Sequence, residues 1–150
     1  TLIIPDQIID YTTSRTNTFF EEGLKQVVHI DFTEPYCEGL RQDIINAAEN
    51  SSISVIKEGT YAATQGPRLE TAAEVNRLEK DGCHLVGMTG MPEAALAKEL
   101  GLAYACLALS VNWAAGLSDD LITMDAIEKV LTSGMDEVRD VLQAAIIAFD

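Results

Sequence analysis

Positive charge is scarce in this 150-residue chain, which has 10 lysine and arginine residues against 24 aspartate and glutamate residues and a formal net charge of −14. Proteins that bind nucleic acid or anionic membrane surfaces neutralise phosphate groups with clustered basic side chains. The acidic balance therefore argues against both kinds of partner. An anionic substrate would have to be held by local groups that act against the field of the whole chain.

Long apolar runs and a targeting pattern are also lacking. No apolar stretch approaches the ~20 residues that are needed to cross a bilayer. Residues 1–10 show no basic segment followed by an apolar core, the pattern of a secretory signal. We therefore expect a cytoplasmic protein that does not interact with membranes.

Residues that bind metals or form disulfides are few. The three cysteines, Cys37, Cys83 and Cys106, are widely spaced, odd in number and without a Cys-x-x-Cys signature. The two histidines, His29 and His84, are too isolated for a zinc site. The sequence predicts reduced thiols and no metal.

Strand-like and helix-like patterns alternate along the chain, which is long enough for one domain with a core of its own. Apolar and β-branched runs predict strands over residues 27–30, 53–64, 84–89 and 103–111. Apolar residues at helical spacing predict helices over residues 34–50, 70–80, 92–100 and 125–148. This alternation predicts an α/β fold in a single domain over residues 1–150.

Polar and glycine-rich segments follow three of the predicted strands, at residues 64–71, 87–93 and 110–116. In open α/β sheets, ligands bind beyond the C-terminal ends of the strands. Loops also carry glycine and proline for turn geometry alone, which is the alternative for any one segment. Three such segments together favour a binding site.

These segments belong to a set of motifs with a fixed order. The set comprises Gly59-Thr60-Tyr61, then Gly66-Pro67-Arg68-Leu69-Glu70-Thr71 with Ala73-Glu74, then Val86-Gly87-Met88-Thr89 with Pro92-Glu93 and Leu96-Ala97. Earlier members are Asp6-Gln7, Ile9-Asp10, Thr12, Arg15, Thr18-Phe19, His29 and Glu34-Pro35. The set resembles the trimeric purine nucleoside phosphorylase and methylthioadenosine phosphorylase family over nearly the whole chain, and it is far more specific than a lone glycine motif.

The resemblance implies a mixed sheet flanked by helices, a homotrimer, phosphate as co-substrate and no metal or organic cofactor. Family members begin with an N-terminal third that carries a glycine-rich phosphate loop and an Arg-His phosphate pair. Neither feature occurs in these 150 residues. We therefore expect the chain to be the C-terminal portion of the family fold and to be inactive alone.

The family's base-binding positions correspond to Glu70 and Asn112. An ionised carboxylate only accepts hydrogen bonds, so Glu70 suits a 6-oxopurine, which has a proton on N1, and not adenine. The Asn112 amide would be catalytic, because it can stabilise the negative charge that builds on the leaving base. Ala114 stands where adenine-specific members carry a second aspartate, Leu69 replaces the usual phenylalanine, and Trp113 lies between Asn112 and Ala114.

Each of these two positions also has a structural interpretation. Glu70 could simply be an acidic residue that the dipole of a helix first turn favours. Asn112 could be a turn residue at a strand end. Their agreement with each other is what favours a 6-oxopurine base.

The sugar and phosphate positions fall on the Gly87-Met88-Thr89 segment. By resemblance, Met88 holds the ribose and Thr89 binds phosphate, while Gly87 permits close approach of the backbone to the sugar. The alternative for Met88 is a core residue that fills space. Arg68 is predicted to form a structural ion pair and not to bind phosphate.

The residues near the 5′ end of the sugar distinguish enzymes for a 5′-hydroxyl from those for a 5′-methylthio group. Purine nucleoside phosphorylases present a histidine there, whereas this chain has Met124 and Ile127, one helical turn apart. An apolar wall suits a methylthio group and leaves a hydroxyl unsatisfied. Both residues could instead pack the last helix on the core. By resemblance, His29 of a neighbouring subunit touches the same 5′ group.

These assignments together predict phosphorolysis of S-methyl-5′-thioinosine to hypoxanthine and S-methyl-5-thioribose 1-phosphate, a pentosyl transfer in purine salvage. Within the same class, the alternatives are methylthioadenosine phosphorylase and inosine or guanosine phosphorylase. From a different class, the alternative is an inactive, acidic oligomeric binding module.

Overall fold

The computed structural model describes residues 1–23, 26–119 and 121–148, in which strands and helices alternate as expected for an α/β fold. The strands are β1 (Leu2–Ile3), β2 (Gln7–Asp10), β3 (Val55–Ile56), β4 (Thr60–Ala63), β5 (Leu85–Gly87) and β6 (Ala108–Leu109). The helices are α1 (Glu38–Asn50), α2 (Ala72–Lys80), α3 (Glu93–Glu99) and α4 (Met124–Ala148). All four predicted helices are confirmed, with starts shifted by one to four residues.

The strands form two three-stranded sheets. In the first sheet, β1 lies between β3, to which it is parallel, and β6, to which it is antiparallel. In the second sheet, β4 lies between β2 and β5, and all three strands are parallel. The C-terminal ends of β2, β4 and β5 therefore lie at one edge, where two of the polar segments begin.

Two apolar clusters form the core. The larger packs α1 and α4 against the first sheet, because apolar residues recur on one stripe of each helix. Its buried members are Leu2, Ile4, Ile44, Ile45, Ala47, Ala48, Val138, Val141 and Ala145. The smaller cluster lies against the second sheet and contains Tyr36, Tyr61, Ala63, Met91 and Ala94.

One charged side chain is enclosed beside the larger cluster. Arg41 on α1 is 5% exposed. Its guanidinium donates to the carbonyl oxygens of Pro5 (2.9 Å), Ile4 (3.3 Å) and Lys57, and it also pairs with the Glu38 carboxylate. Arg41 therefore joins α1 to the segment between β1 and β2 and to the segment after β3.

Several strand predictions needed correction. The predicted strand 53–64 is two strands in different sheets, because residues 57–59 carry the chain from β3 to β4. Residues 27–30 form no strand, and Val27 is 73% exposed, without the packing that makes a β-branched run a strand. Only Ala108–Leu109 of the run 103–111 is paired. The strands β1 and β2 were not predicted, since Pro5 interrupts a very short apolar run.

No helix within residues 1–23, 26–119 and 121–148 has both the length and the apolar character that crossing a bilayer requires.

Helix α2 begins with a capping box. The Thr71 hydroxyl accepts a hydrogen bond from the Glu74 backbone N–H (3.2 Å), and the Glu74 carboxylate accepts one from the Thr71 backbone N–H (2.7 Å). These two bonds satisfy amide groups that the first turn of a helix leaves unpaired. They also set the direction in which the chain leaves the 64–71 segment.

We expect replacement of Thr71 with alanine to lower the free energy of unfolding by about 1 kcal/mol, the usual value of a helix cap. Urea unfolding of the full-length gene product measures the change. The matched control is Thr132→Ala, because the Thr132 hydroxyl donates back to the Glu128 carbonyl inside α4 (2.8 Å) and caps nothing. Equal losses in the two variants would contradict the role of the cap.

Candidate active site

The segments that follow β4 and β5 are held together at the edge of the second sheet. The Thr64 backbone N–H donates to the Gly87 carbonyl (2.8 Å). The Thr64 hydroxyl lies 3.2 Å from the same carbonyl oxygen and donates to the Glu70 carboxylate at 2.7 Å. The strand ends that were expected to carry the site are therefore adjacent, and Glu70 is tied to them.

A cavity of about 840 Å³, which we call the large cavity, opens beside β5 and β6. Its volume lies within the ~300–1,000 Å³ that is typical of small-molecule sites. Six of the residues assigned from the sequence line it: Gly87, Met88, Thr89, Asn112, Trp113 and Ala114. The fold thus brings together the positions assigned to ribose and phosphate with three of those assigned to the base.

Glu70 lines a second, smaller cavity of about 300 Å³. Leu78 of α2 lines both cavities. The loop after β6 also lies against the start of α2, where a Cβ atom on Gly116 would be 2.7 Å from the Ala72 Cβ. Glu70 and Asn112 therefore line different cavities, which share Leu78, and the structure does not bring them into a single one.

The Asn112 side chain is exposed and held locally. Its Nδ2 donates to the Trp113 carbonyl oxygen at 2.7 Å. Trp113 itself is 70% exposed. The amide is thus anchored at the rim of the large cavity by a neighbouring backbone group.

Four assigned residues line neither cavity: Leu69, Met124, Ile127 and His29. Leu69 and Met124 are exposed, at 51% and 66%. Met124 begins α4, and His29 lies in an exposed segment without secondary structure. The structure of the single chain therefore does not bring the 5′ residues to the large cavity.

Gly87 has a structural role that the sequence did not reveal. A side chain at this position would overlap the Tyr61 hydroxyl, which lies directly against the Gly87 backbone. The same hydroxyl is 3.4 Å from the Thr89 backbone nitrogen, which donates to it, and 3.3 Å from the Thr89 Oγ1. Gly87 thus makes room for Tyr61, which contacts the residue assigned to phosphate.

Arg15 is a second residue that the sequence analysis quoted but did not assign. Its guanidinium donates to the backbone carbonyls of Thr64 (3.2 Å), Gln65 (3.4 Å), Met88 (3.0 Å) and Met91. Only 10 lysine and arginine residues occur in this chain, so a basic residue within one of the quoted motifs is the signal that could have found it.

The predicted ion pair of Arg68 is confirmed. Its two Nη atoms donate to the two carboxylate oxygens of Glu74 at 2.8 and 2.7 Å. The bond from Arg68, followed by the backbone bond from Thr71, lowers the pKa of Glu74 to about 2. Arg68 is therefore engaged at the start of α2 and not in the large cavity.

The chemistry of the remaining groups near the large cavity is limited. Burial raises the pKa of the Cys106 thiol to about 11, so this cavity-lining cysteine stays protonated and is a poor nucleophile. Among the residues that the structure describes, no three histidine, cysteine, aspartate or glutamate side chains are grouped so that they could hold a metal. The lining of the large cavity includes hydrogen-bonding residues that can position a substrate, among them Thr89, Ser110 and Asn112.

Known proteins resemble this chain along almost its entire length. The family model of the phosphorylase superfamily matches residues 1–147. A probable S-methyl-5′-thioinosine phosphorylase from Pseudomonas syringae pv. tomato is 53% identical over 145 residues, which are 97% of this chain and 59% of that protein. The 6-oxopurine nucleoside phosphorylase of Pyrococcus furiosus is 42% identical over 149 residues, with 96% of this chain and 56% of that protein covered.

A solved structure shows the same similarity in three dimensions. The methylthioadenosine phosphorylase of Schistosoma mansoni in complex with adenine matches with a TM-score of 0.93 and 30% identity, over 99% of this chain and 59% of that chain. The chain therefore spans less than two thirds of the length of these relatives.

Proposed function

This chain belongs to the phosphorylase superfamily, and from that premise we propose that the full-length protein converts S-methyl-5′-thioinosine and phosphate to hypoxanthine and S-methyl-5-thioribose 1-phosphate. The observation that carries the proposal is the large cavity, which residues 87–89 and 112–114 line together. The relative named for this nucleoside is also more similar to the chain than the 6-oxopurine enzyme is.

The proposed reaction needs positioning groups more than a protein nucleophile. A phosphate oxygen attacks the anomeric carbon while the bond from that carbon to N9 breaks, and the sugar gains oxocarbenium character as in glycoside cleavage. The electron pair of the broken bond passes into the purine. Monohydrogen phosphate supplies the proton that hypoxanthine gains, and it remains on the sugar as a phosphate monoester. Phosphate is a co-substrate, and the reaction requires no cofactor.

In this mechanism Met88 contacts the ribose and Thr89 binds phosphate. Asn112 donates from its amide to the purine as negative charge develops, which is an effect of the oxyanion-hole type. Glu70 accepts the N1 proton of the 6-oxopurine, which adenine lacks. The base must then reach from Asn112 in the large cavity to Glu70 in the smaller one, with Leu69, Trp113 and Ala114 beside it.

Subunit association is part of the proposal, because the 5′ site is incomplete in one chain. We propose a homotrimer in which His29 of one subunit approaches the 5′ site of the next, beside Met124 and Ile127. The exposure of His29 and Met124 in the single chain supports their availability to a neighbour. We propose further that residues 1–150 form one domain, the C-terminal portion of the fold, and that the protein is cytoplasmic, a setting that suits three free cysteines.

Assays with three nucleosides test the proposal. The full-length gene product is supplied with phosphate and with S-methyl-5′-thioinosine, methylthioadenosine or inosine. We expect the highest kcat/KM for S-methyl-5′-thioinosine, by about tenfold or more. A preference for methylthioadenosine would contradict the roles of Glu70 and Asn112, and a preference for inosine would contradict the apolar 5′ site. A folded protein that turns over none of them would favour the binding module.

Replacing Met124 with histidine tests the 5′ site. A polar ring near the sugar should favour a 5′-hydroxyl over a methylthio group, so the ratio of kcat/KM for inosine to that for S-methyl-5′-thioinosine should rise about tenfold. The matched control is Met135→His, the same substitution at another exposed methionine of α4. If the ratio is unchanged in Met124→His, or rises equally in both variants, Met124 does not contact the 5′ group.

A further inference from the structure

The peptide bond between Met88 and Thr89 is held on both of its sides. The Met88 carbonyl accepts a hydrogen bond from Arg15 at 3.0 Å, and the Thr89 N–H donates to the Tyr61 hydroxyl at 3.4 Å. A trans peptide points its C=O and N–H in opposite directions, so two separate side chains fix the rotation of this one group. It joins the residue proposed for the ribose to the residue proposed for phosphate.

Arg15 acts on more than this peptide. Its guanidinium also donates to Thr64, Gln65 and Met91, so one side chain gathers backbone carbonyls from the segments after β4 and β5. Arginine presents five N–H donors in a rigid planar fork and is always charged, which suits several acceptors in different directions. A lysine ammonium is a single point from which these carbonyls are not reached together.

Tyr61 acts on Thr89 alone. It lies on β4, the central strand of the second sheet, and is 6% exposed. Its hydroxyl occupies the space that the missing side chain of Gly87 leaves, and it is 3.3 Å from the Thr89 Oγ1 as well as within reach of the Thr89 N–H. The backbone N–H and the side-chain hydroxyl of Thr89 are therefore both oriented by the same buried hydroxyl.

We infer that Arg15 and Tyr61 are positioning residues, which orient the Met88–Thr89 peptide so that the ribose and phosphate sites keep their relative geometry. This inference rests on the proposed function of Met88 and Thr89. The two residues should have different kinetic signatures. Loss of the Tyr61 hydroxyl frees Thr89 and weakens phosphate binding, whereas loss of the Arg15 fork displaces both segments and weakens the binding of both substrates.

The test compares Tyr61→Phe and Arg15→Lys in the full-length gene product. We expect Tyr61→Phe to raise the KM for phosphate about 5- to 10-fold, the value of one or two hydrogen bonds, while the KM for the nucleoside changes less than about twofold. Arg15→Lys should raise both KM values although it keeps the charge. Thermal unfolding of each variant is recorded alongside.

The matched control is Tyr36→Phe. Tyr36 is a buried tyrosine that stacks on Tyr104, and its hydroxyl has no hydrogen-bond partner among the described residues. Its replacement should leave both KM values unchanged. A Tyr61→Phe variant that melts earlier with an unaltered KM for phosphate would have lost a merely structural bond, and this result would overturn the inference.

Calorimetric titration with inorganic phosphate separates this inference from the proposed nucleoside. A wild-type protein that binds phosphate but turns over none of the three nucleosides would refute the proposed substrate, while a 5- to 10-fold weaker phosphate affinity in Tyr61→Phe would still support the positioning role. Equal phosphate affinity in wild type and Tyr61→Phe, or no phosphate binding at all, would overturn it. Tyr61→Phe keeps the aromatic ring in the core. The comparison of its phosphate affinity with that of wild type therefore tests the inference even if Arg15→Lys does not fold.

Discussion

Replacing Asn112 with aspartate in the full-length gene product should lower kcat/KM for S-methyl-5′-thioinosine by about 100- to 1,000-fold, the effect of removing one donor at a developing negative charge. The substitution keeps the size of the side chain and exchanges the amide for a carboxylate. A carboxylate only accepts hydrogen bonds and repels the charge that builds on the leaving hypoxanthine. The loss should appear mainly in kcat, because the interaction strengthens as the bond to the base breaks.

The same variant should shift preference toward methylthioadenosine, whose exocyclic amino group can donate to the new carboxylate. The gain should be partial, because in the proposed site Glu70 would still face a ring nitrogen that carries no proton in adenine. The measurement is kcat/KM for both nucleosides at saturating phosphate. An unchanged ratio of the two values would show that Asn112 does not contact the base.

Two controls keep this result interpretable. Asn76→Asp makes the same change of charge at an exposed position on α2 and should leave both rates within about twofold of wild type, as surface substitutions usually do. Thermal unfolding detects any loss that follows from breaking the bond from Asn112 to the Trp113 carbonyl. Loss of rate with an unchanged melting temperature assigns the effect to catalysis.

The helices of this fold could be predicted from the sequence because their signals are local. The apolar stripe of α1 at Ile44, Ile45 and Ala48 repeats with the helical period, and Gly101 just past α3 adopts the positive φ of +67° that commonly ends a helix. Such signals need no knowledge of distant residues. The starts moved by one to four residues and the end of α3 moved by one, and such shifts are usual at helix ends.

The strands could be predicted less well because their pairing is decided elsewhere in the chain. Ile3 pairs with Ile56 and Ala108, which lie more than fifty and a hundred positions away. A two-residue strand such as β1 leaves almost no periodic signal of its own. Conversely, Val27 has strong β propensity but has no partner strand among the described residues. The strand predicted from propensity over residues 27–30 was therefore wrong.

For the candidate site, too, the local features could be predicted and the contacts between distant residues could not. The segments that carry it were recognisable, because polar loops after parallel strands converge at one edge. Which side chains share a cavity could not be predicted, since Glu70 and Asn112 follow different strands and line different cavities. The supporting contacts of Arg15 and Tyr61 also escaped prediction, because their partners are backbone carbonyls and amides, which leave no trace in residue type.

Arg41 illustrates how much stability can depend on such backbone contacts, and its replacement by methionine should lower the free energy of unfolding by about 3 kcal/mol or more. The carbonyls of Ile4, Pro5 and Lys57 all accept hydrogen bonds from this one guanidinium. The Ile4 and Pro5 carbonyls are buried, so without the guanidinium they lose this donor, and each buried polar group left unsatisfied costs about 1–3 kcal/mol. Methionine is apolar and of similar length, so it limits the cavity that would otherwise add to the loss.

Urea unfolding of the full-length gene product measures this loss against Arg139→Met. Arg139 lies exposed on α4, where it pairs with Asp136 at 2.9 Å and donates to the Met135 carbonyl at 3.2 Å. Because solvent replaces these bonds, the control should change stability by less than about 0.5 kcal/mol. If Arg41→Met cost no more than the control, water would have to reach the buried Ile4 and Pro5 carbonyls beside α1. The enclosed arginine would then not be what joins α1 to the segments that follow β1 and β3.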